Sequence, residues 1–152
     1  KLNKQRLQLV YSGTIVNTQN HHRNIIDKLK DIKANNDCDI HIYPSQISSG
    51  VGYEDFIIHD SVSPYDLISE LSQYDAGIFV LSASEEVMSH ALPNKVFEYL
   101  AAGIPVLSEP YKEIIKHKGI YIMDDFKINH LPLTDHSEFT RYYDNSLCEL
   151  IK

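Results

Sequence analysis

In the middle of the chain, Ala76 to Ser82 read AGIFVLS, with a polar side chain only at the end. A run this short and this apolar predicts a strand buried on both faces, the kind that parallel sheets hold between two layers of helix. The sequence around it alternates to match. Leu7 to Tyr11, LQLVY, reads as a strand entering a Ser12-Gly13-Thr14 turn. Ile25, Ile26, Leu29 and Ile32 recur at helical spacing and predict a helix over 20–34. DIHIYP, stopping at Pro44, is the next strand, followed by a loop and then by a strand over DFIIHDSV, residues 55–62.

Ser63-Pro64 then opens a helix over 63–75, with Leu67, Ile68 and Leu71 facing inward. Beyond AGIFVLS come a polar loop, a helix over 94–102, the strand IPVLS, the short helix YKEIIKHK, the strand GIYIMDD and a helical pattern in the tail. Strands and helices alternating this way predict an α/β fold: a Rossmann-like, doubly wound sheet of about six parallel strands with helices on both faces. Ligands of such sheets sit beyond the carboxyl ends of the strands, near the switch in strand order. The loops to watch are therefore 12–17, 44–52, 59–64 and 82–94.

The chain has 152 residues, enough for one domain that hides about two-thirds of its unfolded surface. We expect residues 1–6 to be a linker remnant and 7–152 a single domain cut from a longer protein, since the chain opens on polar, basic residues without a methionine. A net charge of -7 argues against a nucleic-acid surface, which needs clustered Lys and Arg. It leaves room for a small anion held locally by one lysine and a helix N-terminus. Two cysteines without C-x-x-C spacing, and no His cluster at metal spacing, point away from structural zinc and a disulfide scaffold. No metal is expected. No apolar run approaches the ~20 residues of a membrane span, so the expected setting is cytoplasmic.

The richest stretch is LPNKVFEYLAAGIPV, residues 92–106. Pro93 sits in the first helical turn and Gly103 just past the last, so both ends are marked. Asn94, Lys95 and Glu98 can share one side of the helix while Val96, Phe97, Leu100 and Ala101 pack. Free N–H groups, the positive helix end and the Lys95 ammonium suit a diphosphate, and Glu98 one turn on could accept from a ribose diol. Spacing alone leaves a second account open, an exposed Lys95–Glu98 ion pair worth a few tenths of a kcal/mol.

LPNKVFEYLAAGIPVL, with YDAGIFVLS before it and LVYSGTI near the start, resembles the C-terminal domain of the "glycosyl transferases group 1" family, retaining enzymes of GT-B fold. The resemblance runs from Leu7 to about Asp125. It implies a domain that binds a nucleotide diphosphate sugar, UDP- or GDP-linked, needs no further cofactor, and passes the sugar to a glycan or lipid-linked acceptor. That acceptor would be held by an N-terminal domain absent from this chain, so the fragment alone should be inactive. Surface polysaccharide or glycoconjugate synthesis is the implied setting, at the inner face of a bacterial membrane if the longer enzyme associates with it peripherally.

By the same resemblance Glu98 matches the second glutamate of an E-x7-E signature and contacts the donor ribose. Lys95, Asn94 and Pro93 face the diphosphate and sugar, and Lys95 is the main catalytic cation. Ser12, Gly13 and Thr14 match the glycine turn that lets the backbone approach the phosphates, and the loop from His59 falls at the nucleobase pocket. Two positions depart from the family pattern. His90 stands eight residues before Glu98 where the first glutamate is expected, which makes it a candidate donor contact. Thr14 and Ile15 stand where a basic residue often follows the glycine. These departures are also what a non-catalytic GT-B-like binding or assembly module would show. Glu85, Glu86 and the remaining histidines, His41 among them, receive no role.

Overall fold

The computed structural model describes residues 6–47, 52–82, 94–111 and 117–131. Its sheet has six parallel strands in the order β3-β2-β1-β4-β5-β6: β1 (Leu7–Ile15), β2 (Cys38–Ile47), β3 (Ile57–Ile58), β4 (Ala76–Phe79), β5 (Val106–Ser108) and β6 (Ile120–Ile122). The chain builds outward from β1 to one edge, returns to the middle, and builds outward from β4 to the other. The order therefore reverses between β1 and β4, and the expected α/β, Rossmann-like sheet is what the chain forms.

Two layers of side chains cover the sheet because successive residues of a strand point to opposite faces. Leu9, Tyr11, Ile40, Ile42 and Ile78 join Ile26, Leu29 and Ile32 of helix α1 (Ile26–Asn35) on one face. Val10, Tyr43, Phe79 and Val106 join Leu71 of α2 (Pro64–Leu71) and Val96, Tyr99 and Leu100 of α3 (Asn94–Ala101) on the other. AGIFVLS forms a buried strand as its composition predicts, although pairing ends at Phe79 rather than Ser82: Ala76, Ile78, Phe79 and the following Val80 are fully buried.

Several boundaries differ from expectation, and those of α1, β1, β2 and β3 have a tertiary setting. Helix α1 starts at Ile26 rather than near residue 20, because the segment before it is used elsewhere: the carbonyls of His22 and Asn24 accept from the Ser82 amide and hydroxyl. Strand β1 continues through Ser12, Gly13 and Thr14 to Ile15, with a register shift between Gly13 and Ile15 in place of a turn. Strand β2 runs past Pro44 to Ile47. By then β3 has ended, opposite Ile42, so Pro44 lies on an edge where its missing N–H breaks no ladder bond. Strand β3 is two residues long, not eight, and both isoleucines are more than two-fifths exposed, as an edge strand allows.

Helix ends follow the sequence where local chemistry sets them. The Ser63 hydroxyl accepts from the Asp66 amide at 3.3 Å and caps α2, although the helix stops at Leu71, four residues short of the expected 63–75. The start of α3 at Asn94 and its stop before Gly103 match. The predicted helix over YKEIIKHK and the tail pattern fall largely or wholly outside the described residues.

Candidate functional site

At the sheet's reversal point the first and fourth strands part. They pair only at Leu9 with Ala76 and Val10 with Gly77. Beyond that pair the Tyr99 hydroxyl of α3 stands between them, accepting from the Ser12 amide at 3.0 Å and donating to the Ile78 carbonyl at 3.0 Å. Tyr99 is fully buried, so this one group satisfies two backbone groups that divergence would leave unpaired. Its ring lies directly over Gly77, where any Cβ would overlap it. A glycine in an otherwise apolar strand marks such a close approach, and that was the available sequence signal for Tyr99.

Next to this wedge the cluster around Lys95 is assembled from three elements. Lys95, 8% exposed, runs from α3 across Gly13, its Nζ 2.7 Å from where a Gly13 Cβ would lie. Gly13 has φ +134, and this passage over its α-carbon is open only because it has no side chain. The ammonium donates to the Tyr11 hydroxyl at 2.7 Å and lies 4.0 Å from the centre of that ring. The Tyr11 hydroxyl in turn donates to the Thr14 carbonyl at 3.2 Å. Lys95 is therefore not half of an exposed ion pair with Glu98, which settles the question that spacing left open.

Arg23, from the segment between β1 and α1, is the third member. Its charge acts on both Tyr11 and Lys95. No basic residue directly follows the first-strand glycine in sequence, but Arg23, ten residues on, comes close enough for its charge to act on Lys95. Burial, then the Arg23 charge, push the Lys95 ammonium down to about 7, with Glu98 opposing. Burial lifts Tyr11 to about 12 against the pull of Arg23, and lifts Glu98 above the usual carboxylate range, offset by Lys95. A buried ammonium held on a neutral hydroxyl, with a second positive charge acting on it, is an arrangement suited to an anion.

A cleft of about 360 Å³ opens beside this cluster, lined by Ser12, Gly13 and Glu98 with Tyr43, Pro44 and Ser61 among others. It lies at the carboxyl ends of β1, β2 and β3 and brings three of the four anticipated loops together. Of the predicted residues, Ser12, Gly13 and Glu98 line it and Lys95 adjoins Gly13. Thr14 contributes its carbonyl to Tyr11. His59 is not among the lining residues: its ring lies flat on that of Tyr43, 4.4 Å between centres at 3°. Asn94 opens α3, and His90 and Pro93 lie outside the described residues. Among the described residues no group of three or more His, Cys, Asp or Glu side chains could hold a metal ion, and no helix is long and apolar enough to cross a membrane.

Neither a protein-family model nor a curated protein sequence matches the chain. Several solved structures are similar to it at a distance, among them two transferases. One is described as the glycotransferase of kitacinnamycin, at 11% identity and TM-score 0.44, over 95% of this chain and 36% of that one. The other is the pneumococcal O-GlcNAc transferase GtfA in complex with UDP and GlcNAc, at 15% identity and TM-score 0.44, over 97% of this chain and 30% of that one. The chain thus spans about a third of the length of either. At that distance the two likenesses carry no argument about chemistry.

The far end of β4 is braced separately. Lys28 donates to the Leu81 carbonyl at 2.9 Å and pairs with Glu109, while the Tyr111 hydroxyl accepts from the Leu81 amide at 3.0 Å. Lys28→Met should leave Glu109, 23% exposed, without its cation and cost about 1–2 kcal/mol. A lower urea midpoint at unchanged slope would show it; an unchanged midpoint would mean the brace is idle.

Proposed function

We propose that this chain is the nucleotide-sugar-binding part of a glycosyltransferase, with its site in the cleft at the β1/β4 reversal. The observation that carries this is the Lys95 ammonium buried against Gly13 and Tyr11, under the charge of Arg23, with Glu98 lining the adjoining cleft. The two cations and the first-turn N–H groups of α3 face where a diphosphate would lie. Glu98, one turn along the helix, accepts from the ribose hydroxyls, so phosphate and sugar contacts follow in the order a nucleoside diphosphate presents them.

In this proposal catalysis is electrostatic. As the bond from the anomeric carbon to the diphosphate oxygen breaks, negative charge grows on the leaving group, and Lys95, Arg23 and the helix end meet it without reorganising. The motif favours retention at the anomeric carbon. The acceptor, a glycan or lipid-linked molecule, is held by a second domain, and His90 and Asn94 contact the donor sugar.

Calorimetric titration of UDP and of GDP into the protein tests the assignment. We expect one of them to bind with sub-millimolar Kd, and Glu98→Ala to weaken it about tenfold by removing the ribose acceptor. No binding of either nucleotide at millimolar concentration sinks the proposal.

A further inference from the structure

Behind Tyr43 lies a chain of polar side chains that the proposed site does not use, and its hydrogen bonds fix where the protons are. Gln8, 3% exposed, donates from Nε2 to Asp39 at 2.8 Å, so its Oε1 is the atom turned to His41 Nε2, also at 2.8 Å. An amide oxygen only accepts, so His41 carries its proton on Nε2. Its Nδ1 is then a bare acceptor, and His59 Nε2, 2.8 Å away, must be the donor. Both neutral rings are Nε2–H tautomers, locked head to tail.

We propose that the His41–His59 pair is an acid-released latch that holds the 59–64 rim of the cleft against β2. Besides this pair, Val62 packs against the buried cluster that contains Tyr43 and Leu71, and few polar contacts join the rim to the sheet. Strand β3 contributes two paired residues, the His59 amide donates to the Ile42 carbonyl at 2.9 Å, and the Ser61 hydroxyl donates to the Pro44 carbonyl at 2.6 Å. One added proton leaves the bond in place: taken at His59 Nδ1, which the bond does not use, it keeps Nε2–H as donor and His41 Nδ1 as acceptor. A second proton sets N–H against N–H between two like charges, and the rings must part. His59 then leaves Tyr43, and a wall of the cleft loosens with it.

The surroundings favour a neutral His41. His41 is 5% exposed and faces Gln8, Asp39, His59 and, at 4.9 Å, the Tyr74 ring. His59 faces His41, Tyr43 and, at 3.5 Å, the Tyr74 hydroxyl, and Glu70 reaches the Tyr43 hydroxyl at 3.3 Å. The Asp39 carboxylate is shared with Gln8 and Arg6, and Asp75 is taken by the Gln8 amide. Burial, then the His59 charge, lower His41 to about 4, with Asp39 opposing. A histidine lowered on folding stays locked above its unfolded value of about 6.5 and releases as pH falls through its folded value.

Long-range proton–nitrogen spectra and amide exchange on the protein test this without any ligand, so the outcome stands apart from the proposed function. At about pH 7.5 both rings should show Nε2–H. On acidification to about pH 4, exchange of the His59 amide, corrected for its intrinsic pH dependence, should rise about tenfold or more while Val10 and Ile78 stay protected. His59→Phe, which keeps a ring on Tyr43, should remove the acid response of the rim; if that variant does not fold, the wild-type measurements decide. An Nδ1–H ring at neutral pH, a His59 amide protected throughout, an acid response retained in folded His59→Phe, or loss of rim and central strands together would each overturn the latch.

Discussion

Gly77→Ala should destabilise the protein by about 4 kcal/mol, more than any surface change, because the added Cβ and the Tyr99 ring claim the same space. Neither side can give way cheaply. Gly77 is paired with Val10 and Val106 in the centre of the sheet, and the fully buried Tyr99 is tied at its far end to Ser12 and Ile78. Displacing the ring strands a backbone N–H and a carbonyl, which adds about 1–3 kcal/mol apiece to the overlap. Urea denaturation of Gly77→Ala beside Tyr99→Phe separates the parts: the second variant keeps the ring and should lose about 2 kcal/mol through the hydroxyl alone. A Gly77→Ala protein with the parent's midpoint would show that Tyr99 does not occupy this position.

Lys95→Met should weaken UDP or GDP binding about a hundredfold, the value of one charge-assisted phosphate contact in a dry site, while leaving the unfolding midpoint unchanged or raised. The two readouts diverge because the ammonium is buried beside Arg23 with a neutral hydroxyl as its partner, so the empty protein gains by its removal. The pH dependence follows from the same fact. The free lysine loses its proton above about pH 7, whereas a diphosphate needs it charged. Affinity should therefore be highest at about pH 7 and fall towards pH 9, a range in which the terminal phosphate, with a pKa of about 6, is already fully ionised. In Lys95→Met that slope should vanish. Equal affinities for parent and variant would remove Lys95 from the site.

Much of this molecule was legible from side-chain pattern. The continuous apolar run at 76–82, the helical spacing of Ile26, Leu29 and Ile32 and the Ser63-Pro64 start each report a local preference that the fold keeps. The elements whose bounds depart from that pattern have their limits set by neighbours. Pro44 stops a strand only if the partner on its N–H side is still there, and β3 leaves the sheet after two paired residues although β2 runs on to Ile47. The 20–25 segment has a helix-compatible sequence, but its carbonyls serve Ser82 instead.

The site divides the same way. Sequence by itself marked Gly13, Lys95 and Glu98, because a glycine after a strand and a polar face on a short capped helix are properties of consecutive residues. Only the tertiary structure decided that Lys95 is buried on Tyr11 rather than paired on the surface, that Arg23 joins it from a loop, that Tyr99 wedges the strands apart over Gly77, and that His59 turns to His41 and away from the cleft. Each of these joins residues at least ten positions apart, and most join different elements. Distance along the chain carries no record of such meetings, since they are set by how the sheet stacks its strands and by which buried polar groups remain to be satisfied.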